Sequence, residues 1–225
     1  MRWLDVGCGN GAFTEALIAR AAPAAIAGVD PSEDQLAFAR KRPGAKGAEF
    51  RVSDAESLPF PDRHFDGATM ALVISFLSDP AKAIAEMARV VKPGGPVATY
   101  MWDFEGVGGP QQPLNRALAA LGLAPPPLPS AKAARRDALR ALWQQTGLTD
   151  IETRTIGIDV RFADFDDLWR SFDSGIGPAG KVLAAMPAAE KEKVRAAVRA
   201  SLPHDAEGRI AYGAVANAVK GRVKA

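Results

Sequence analysis

The feature that most constrains the fold is a glycine-rich turn close to the start of the chain. A short apolar run, residues 3–6, leads into a loop with glycine at every second position, and an amphipathic segment follows it. This order predicts a strand, a tight turn and a helix, the opening unit of a nucleotide-binding α/β domain. Because glycine has no Cβ, Gly7, Gly9 and Gly11 can adopt positive φ and let a ligand approach the backbone, and the following helix offers unpaired N–H groups.

An acidic residue just before the loop narrows the class of ligand. The spacing Gly7-x-Gly9-x-x-Ala12 also satisfies a dinucleotide fingerprint, which tolerates alanine in its last place. Asp5, however, stands inside the strand, where its carboxylate would repel a bound pyrophosphate and attract an ammonium or sulfonium group. The residues therefore favour a cationic nucleoside over a diphosphate, and a glycine turn without a ligand stays a third alternative.

The run Leu-Asp-Val-Gly-Cys-Gly-Asn-Gly, residues 4–11, resembles motif I of the class I S-adenosylmethionine-dependent methyltransferases. The resemblance implies an α/β fold: a Rossmann-like seven-stranded sheet, mostly parallel with an antiparallel edge strand, in the order 3-2-1-4-5-7-6, with helices on both faces. It also implies S-adenosylmethionine as the cofactor and S-adenosylhomocysteine as the product. Asp5 and the five residues of the loop would lie beside the methionine portion of the cofactor: Gly7, Cys8, Gly9, Asn10 and Gly11.

Two further acidic residues stand where predicted strands end. The second strand is followed by Asp30 and Pro31, about 20 residues past the loop, where one carboxylate can bind both ribose hydroxyls. The third strand is followed by Asp54 and Ala55. In the methyltransferases that the chain resembles, the matching acid accepts a hydrogen bond from the adenine amino group and the next N–H binds a ring nitrogen. A role for Asp54 as a helix cap or turn residue stays open.

Two later segments extend the resemblance. The stretch Leu-Pro-Phe-Pro-Asp-x-x-Phe-Asp, residues 58–66, and the turn Lys-Pro-Gly-Gly, residues 92–95, resemble the corresponding segments of the type 11 group, which includes ubiquinone and menaquinone methyltransferases. The prolines of the first stretch forbid regular structure before a strand predicted over residues 66–74. His64 occupies a variable place in this stretch, and we interpret it as a surface loop residue rather than a catalytic base.

The domain organisation follows from these matches and from a shift in composition. Residues 1–102 are predicted to form the S-adenosylmethionine-binding core. Residues 103–133 are rich in glycine and proline and begin at the carboxyl end of a strand, where ligands bind in open α/β sheets, so we expect a cap over the acceptor pocket and no single helix. A flexible surface connection is the alternative. Residues 134–225 complete the sheet, with a helical insertion at about 164–203 that resembles the tail of type 11 relatives.

Composition excludes several other classes of protein. The 225 residues are 48% hydrophobic and 24% charged, and a net charge of +2 gives little reason to expect a nucleic-acid partner. No apolar run approaches the roughly 20 residues that span a bilayer, so no membrane partner is expected. The single cysteine fits the cytoplasm, and without a nearby histidine Cys8 is not expected to be a nucleophile. Since His64 and His204 are far apart and no cysteine cluster exists, no metal site is predicted.

The start of the chain leaves one expectation open. Met1 stands two residues before the first predicted strand. The methyltransferases that the chain resembles usually have an upstream helical segment, which closes over the methionine end of the cofactor. Either the natural start lies further upstream or this protein lacks the lid, and the affinity for the cofactor depends on which alternative holds.

Together these features predict in-line methyl transfer from S-adenosylmethionine to a small-molecule acceptor, by a monomer or homodimer. Because the cofactor carries an activated methyl group, the main task of the protein is alignment. If the acceptor must lose a proton, the candidate bases are Ser75 and Asp103, at the ends of the fourth and fifth strands. Four aromatic residues are candidates for lining an apolar acceptor pocket, although packing explains each of them equally well: Phe76, Trp102, Trp169 and Phe172.

Two alternatives from other classes of protein remain. The first is a nicotinamide-dependent oxidoreductase, against which Asp5 and the pair Asp54-Ala55 argue. The second is a noncatalytic protein that binds S-adenosylmethionine and lacks the N-terminal lid. Turnover separates this second alternative from an enzyme, because such a protein binds the ligand and methylates nothing.

Overall fold

A single mixed sheet organises the chain in the computed structural model, which describes residues 1–225. The seven strands are β1 (Arg2–Val6), β2 (Ala25–Asp30), β3 (Glu49–Val52), β4 (Gly67–Ala71), β5 (Pro96–Trp102), β6 (Thr149–Phe162) and β7 (Ile210–Arg222). They lie in the order β3-β2-β1-β4-β5-β7-β6. The strand order that the resemblance implied is therefore confirmed.

Eight α-helices connect or follow these strands. They are α1 (Ala12–Ala21), α2 (Glu33–Ala39), α3 (Pro80–Val90), α4 (Gln112–Ala120), α5 (Arg136–Gln145), α6 (Phe165–Phe172), α7 (Gly177–Ala184) and α8 (Ala188–Ser201). None of them combines the length and the apolar character that crossing a bilayer requires.

The first five strands run parallel, and β7 runs against them. Val6 in β1 pairs with Val29 in β2 and with Met70 in β4, so the carboxyl ends of the central strands meet at one edge of the sheet. Beside β5, the N–H of Gly94 bonds to the carbonyl of Val223, and the N–H of Asp103 bonds to that of Val215. Because the partner numbers fall as the β5 numbers rise, β7 is antiparallel to β5.

The central strands are buried because helices cover both of their faces. Leu4 and Val6 of β1 are fully buried, and so are Ala68 and Met70 of β4. Such near-continuous apolar runs are typical of parallel strands with two covered faces. The one carboxylate inside this layer, Asp5, therefore has to be accommodated by specific contacts rather than by water.

Helix starts follow the predicted capping chemistry, whereas two element lengths differ from prediction. The Oγ of Ser32 accepts a hydrogen bond from the Gln35 N–H at 3.3 Å, which confirms the predicted cap, but α2 has seven residues instead of about ten. The prediction that the fourth strand extends to residue 74 is wrong, because β4 ends at Ala71. Leu72 adopts a positive φ of 61°, a conformation that ends a strand, and a 3₁₀ turn follows at Ile74–Phe76.

The chain forms two compact units. The first comprises Met1–Met101, Leu128–Thr155 and Asn217–Ala225, and the second comprises Trp102–Pro127 and Ile156–Ala216. Strands β6 and β7 contribute residues to both units. The functional division at residues 102 and 133 stays a prediction.

The second unit has its own apolar core, built by four helices. Side chains of α4, α6, α7 and α8 pack together, including Leu114, Leu118, Leu168, Phe172, Leu183, Val194 and Val198. Helix α4 occupies only nine residues of the stretch 103–133, which we expected to be too rich in proline to form one helix throughout. Its proline, Pro113, lies in the first helical turn, where the missing N–H leaves no hydrogen bond unmade, and this explains why the helix forms there.

Candidate cofactor site

The glycine loop between β1 and α1 is held against the end of β2 by backbone hydrogen bonds. The N–H groups of Gly7 and Cys8 both donate to the carbonyl of Val29, at 2.7 and 2.9 Å. Gly7, Gly9 and Gly11 have positive φ angles of 69°, 51° and 80°, as the spacing predicted. The loop is therefore a tight turn that presents its backbone at the carboxyl edge of the sheet.

The three glycines are needed for different reasons. A Cβ on Gly7 would lie 2.4 Å from Val73 Cγ2, and one on Gly11 would lie 3.0 Å from Ala39 Cβ, so these two glycines allow close packing. A Cβ on Gly9 would meet only Gln35 Oε1, at 3.8 Å. The space over Gly9 is thus open, and a ligand can approach its backbone closely.

Asp30, at the end of β2, ties the loop to the start of the next helix. Its Oδ2 accepts a hydrogen bond from the Gly9 N–H at 2.9 Å, and its Oδ1 accepts one from the Ser32 N–H at 2.9 Å. Each carboxylate oxygen can accept a second hydrogen bond, and the residue is half-buried rather than sealed. Asp30 can therefore orient the loop and still bind two adjacent hydroxyl groups.

Asp5 lies beneath the loop and is wholly buried. Its Oδ2 accepts a hydrogen bond from the Thr14 hydroxyl at 2.6 Å, whereas its Oδ1 has no partner. Burial raises the pKa of Asp5 from its ordinary value of 3.8 to about 7, with the Thr14 hydrogen bond opposing this change and the charge of Asp30 adding to it. Attraction of a cationic ligand by Asp5 stays a prediction: it would act from below the loop, and its strength would depend on ionisation of Asp5 near neutral pH.

The orphaned oxygen of Asp5, the open face of Gly9 and the free acceptor capacity of Asp30 fit a polar, positively charged ligand. An unpartnered buried carboxylate oxygen is costly unless a donor or a cation satisfies it. No group of three or more His, Cys, Asp or Glu side chains in residues 1–225 has a geometry that could hold a metal ion. These acceptor groups suit S-adenosylmethionine, whose ammonium and ribose hydroxyls are hydrogen-bond donors.

At the end of β3, Asp54 forms a turn of its own. Its Oδ1 accepts a hydrogen bond from the Glu56 N–H at 2.8 Å, and its side chain is exposed, while Ala55 is buried. The turn role that the sequence left open is therefore observed for one oxygen of Asp54. Contacts of Asp54 and Ala55 with adenine stay a prediction, as does a contact from the exposed Pro31.

The glycine loop is also held by contacts with Arg42, a residue that the sequence analysis did not identify. The Arg42 Nε donates to the carbonyl of Asn10 at 2.8 Å, and its Nη1 pairs with Glu15 at 2.7 Å. The Oδ1 of Asn10 accepts a hydrogen bond from the Ala12 N–H at 3.2 Å, in the first turn of α1. Arg42 lies 32 residues after Asn10, so no local pattern could reveal this pair, and the same holds for Thr14 beneath Asp5.

Cys8 is buried within the loop, and its thiol makes only a weak contact with the carbonyl of Gly9, at 3.9 Å from Sγ. Burial, together with the negative charges of Asp5 and Asp30, raises the pKa of the Cys8 thiol well above its usual range. A thiol in this environment is not a nucleophile.

The candidate base Ser75 lies in the 3₁₀ turn after β4. It is fully buried, and its Oγ has no hydrogen-bond partner, while its carbonyl accepts a hydrogen bond from the Ser130 N–H at 3.0 Å. The next residue, Phe76, is 46% exposed. An orphaned hydroxyl beside an exposed aromatic ring, at the carboxyl edge of the sheet, is compatible with acceptor binding, and both roles stay predictions.

The other acceptor-site candidates belong to the second unit. Trp169 and Phe172 are 8% and 1% exposed and lie in the helical core, so packing accounts for their spacing. Trp102 and Asp103, at the end of β5, are half-buried. A Cβ on Gly109 would lie 2.6 Å from Trp102 Cγ, so Gly109 allows the chain to pass close to this ring. A role for any of the four in binding an acceptor stays a prediction.

Comparison with known proteins places this site in a recognised domain. Residues 4–99 match the family model described as "Methyltransferase domain". Over 96 residues the chain is 41% identical to a demethylmenaquinone methyltransferase of Thermus thermophilus, with 42% of this chain and 44% of the relative covered. Over 95 residues it is 40% identical to a fatty-acid O-methyltransferase of Mycolicibacterium smegmatis, with 42% and 34% covered. The match thus spans less than half the length of each curated relative.

The solved structures agree on the fold over the whole chain. A putative methyltransferase from Bacillus halodurans superposes with a TM-score of 0.62, at 17% identity, and the alignment covers 100% of this chain and 93% of that one. At this identity the likeness establishes the fold alone. The sequence match, over the glycine loop and the first five strands, shows that residues 4–99 are similar to a methyltransferase domain of the class I, type 11 group.

Proposed function

We propose that the protein transfers a methyl group from S-adenosylmethionine to a small-molecule acceptor. The observation that carries the proposal is the bond between the Asp30 carboxylate and the Gly9 N–H, inside a domain of this family. It brings the end of β2 and the glycine loop together beside an open backbone face. The reported relatives are methyltransferases, which supports this class over the nicotinamide-dependent oxidoreductase.

Different residues of the first unit would bind different parts of the cofactor. Asp30 would accept hydrogen bonds from the ribose hydroxyls, the pair Asp54 and Ala55 would bind the adenine, and the glycine loop would lie beneath the methionine portion. When bound, the cofactor supplies a methyl group activated by the sulfonium. The work of the chain is then to hold this group in line with the acceptor atom, with the reacting atoms about 3 to 3.5 Å apart.

The acceptor is proposed to be a small apolar or lipid-like molecule. The names of the two curated relatives refer to a fatty acid and to demethylmenaquinone, both molecules with long apolar chains. The exposed ring of Phe76 is consistent with such an acceptor. A cytoplasmic location and a monomeric or homodimeric state stay predictions.

A titration followed by a transfer assay tests the proposal. We expect S-adenosylhomocysteine to bind in calorimetry, and we expect label from [methyl-³H]S-adenosylmethionine to enter the organic phase of a lipid extract when the protein is present. The Asp30→Ala variant serves as the control, since both signals should be weaker in it. Binding without transfer to any extract would indicate the noncatalytic alternative, and absence of binding by a folded protein would contradict the proposal altogether.

A further inference from the structure

A cavity lies at the edge of the sheet opposite to the candidate cofactor site. It has a volume of about 550 Å³ and is lined by residues at the amino ends of the strands, including Arg2, Arg63, His64 and Lys92. The glycine loop and Asp30 stand at the carboxyl ends of the same parallel strands. Nothing in the proposed methyl transfer uses this cavity.

The two carboxylates that line the cavity already have cationic partners. Asp66 Oδ1 accepts a hydrogen bond from Lys92 Nζ at 2.6 Å, and its Oδ2 accepts one from the Arg2 N–H at 2.6 Å. These contacts hold the pKa of Asp66 below its usual range. Asp62 pairs with Arg89 at 2.8 Å. The negative charge of the cavity is therefore compensated from within the fold.

Arg63 is an exposed cation without any partner. Its guanidinium makes no hydrogen bond, ion pair or ring contact in the structure, although it lines the cavity. Its backbone has a positive φ of 54°, an unusual conformation for a residue other than glycine. The Arg63 N–H bonds to the carbonyl of Arg89 at 2.9 Å and so holds the chain in this conformation. Strained backbone of this kind is found preferentially at binding sites.

Arg2 and His64 form a second, oriented donor group. Arg2 Nη1 lies 3.0 Å from His64 Nε2, and in this contact the guanidinium can only donate. The imidazole ring stacks on Phe60, with centroids 6.0 Å apart, and meets Phe65 edge to face at 4.8 Å. The aromatic contacts thus hold the imidazole ring of His64 in place, and its contact with Arg2 orients the guanidinium. The remaining N–H groups of Arg2 stay available for a ligand.

We propose that this cavity binds the phosphate group of a small phosphorylated molecule. Arg2 and Arg63 each offer a planar fork of N–H donors that matches phosphate oxygens, and neither charge is neutralised by a carboxylate. A phosphate has enough oxygens to engage both guanidiniums at once. The volume exceeds that of a phosphate ion and lies within the range of small-molecule sites, about 300 to 1,000 Å³, so the rest of a ligand has room.

The two histidines of the chain provide a direct test by NMR, using inorganic phosphate as the probe. His64 lines this cavity, whereas His204 belongs to the second unit. At fixed pH and with ionic strength held constant by chloride, we expect saturable shifts of the His64 ring signals and none of the His204 signals. No saturable shift of His64, or equal shifts of both residues, would overturn the proposal.

Matched variants locate the site. Arg63→Gln should weaken phosphate binding about tenfold, because charge-assisted hydrogen bonds are lost, and Arg2→Gln should do so as well. Arg116 in α4 is likewise exposed and without a partner, so Arg116→Gln is the control and should leave the affinity unchanged. Equal weakening by all three variants would show a general charge effect and contradict the site. Binding of S-adenosylhomocysteine should be the same in Arg63→Gln, which separates this proposal from the proposed function.

Discussion

The carboxylate of Asp30 and the N–H of Gly9 are joined by a hydrogen bond of 2.9 Å across the mouth of the cofactor site. This bond ties the end of β2 to the glycine loop, and the second Asp30 oxygen accepts a hydrogen bond from the Ser32 N–H at the same distance. Asp30 therefore sets the position of the loop backbone. Its remaining acceptor capacity is what we propose binds the ribose of the cofactor.

Asp30→Ala should weaken binding of S-adenosylhomocysteine by about 1.5 to 3 kcal/mol, since charge-assisted hydrogen bonds to the ribose are lost. It should also speed amide exchange at Gly9 and Ser32, whose N–H groups lose their acceptor. Calorimetry and hydrogen exchange measure the two effects. Asp30→Asn keeps the shape of the side chain and one acceptor oxygen, so its affinity should lie between those of the natural protein and Asp30→Ala. Unchanged affinity in Asp30→Ala would show that the cofactor binds elsewhere.

Alanine substitutions at two glycines should separate folding from binding. At Gly7 a methyl group would clash with Val73, so Gly7→Ala should lower the free energy of unfolding by about 2 kcal/mol or more. At Gly9 the space is open, and Gly9→Ala should cost only about 1 kcal/mol, the price of a positive φ for alanine.

Binding of S-adenosylhomocysteine should be more sensitive to alanine at Gly9 than to alanine at Gly7. Gly9→Ala should reduce the affinity for S-adenosylhomocysteine at least about tenfold while the protein stays folded, because its methyl group would occupy the space of the ligand. Urea unfolding and calorimetry at one temperature provide both measurements. A Gly9→Ala variant with normal affinity would mean that no ligand approaches this backbone face.

The conformation of the glycine loop and the cap of α2 could be predicted from the sequence because each depends on residues that lie close together in the chain. The glycine spacing predicted the loop and its positive φ angles, and the Ser32 spacing predicted the cap of α2. The resemblance supplied the strand order, including the insertion of β7 between β5 and β6, which no local pattern shows. Features within a few residues were thus accessible from physical chemistry, and the long-range order came from the family.

The contacts that sequence reasoning missed connect residues that are distant in the chain or lie on different elements. Thr14 meets Asp5 because one face of α1 packs on β1, and Arg42 reaches Asn10 from beyond α2. β4 ends early because Leu72 adopts a positive φ, which could not be predicted from its residue type since leucine rarely adopts this conformation. Such features depend on tertiary packing, which overrides the local preferences of the residues.

Thr14→Val should destabilise the protein by about 1 to 3 kcal/mol. The substitution keeps the shape of the side chain and removes the only hydrogen bond to the buried Asp5 carboxylate. It should also raise the pKa of Asp5 further, because the Thr14 hydroxyl stabilises the charged form. Thr14→Ser keeps the hydroxyl and is the control, with a smaller expected loss in urea unfolding. Equal loss in both variants would assign the effect to packing rather than to the hydrogen bond.

Asp5 should make the stability of the free protein fall as the pH rises from about 4 to 7. Its pKa is about 7 in the folded protein and 3.8 is its ordinary value, so over this range the folded state binds more protons than the unfolded state. The stabilisation is fully present below pH 3.8 and is lost as the pH rises through about 7. At 1.36 kcal/mol for each pH unit, the upper limit of this loss is about 4 kcal/mol.

Asp5→Asn removes this titration, so its unfolding free energy relative to the natural protein should increase between pH 5 and pH 8, which urea unfolding measures at each pH. Binding should respond in the opposite sense. A cationic ligand favours the ionised carboxylate, so the affinity of the natural protein for S-adenosylhomocysteine, whose ammonium is retained, should rise with pH near 7 more steeply than that of Asp5→Asn. Parallel pH profiles for the two proteins, in stability and in affinity, would show that Asp5 keeps one charge state throughout and plays no electrostatic part beneath the loop.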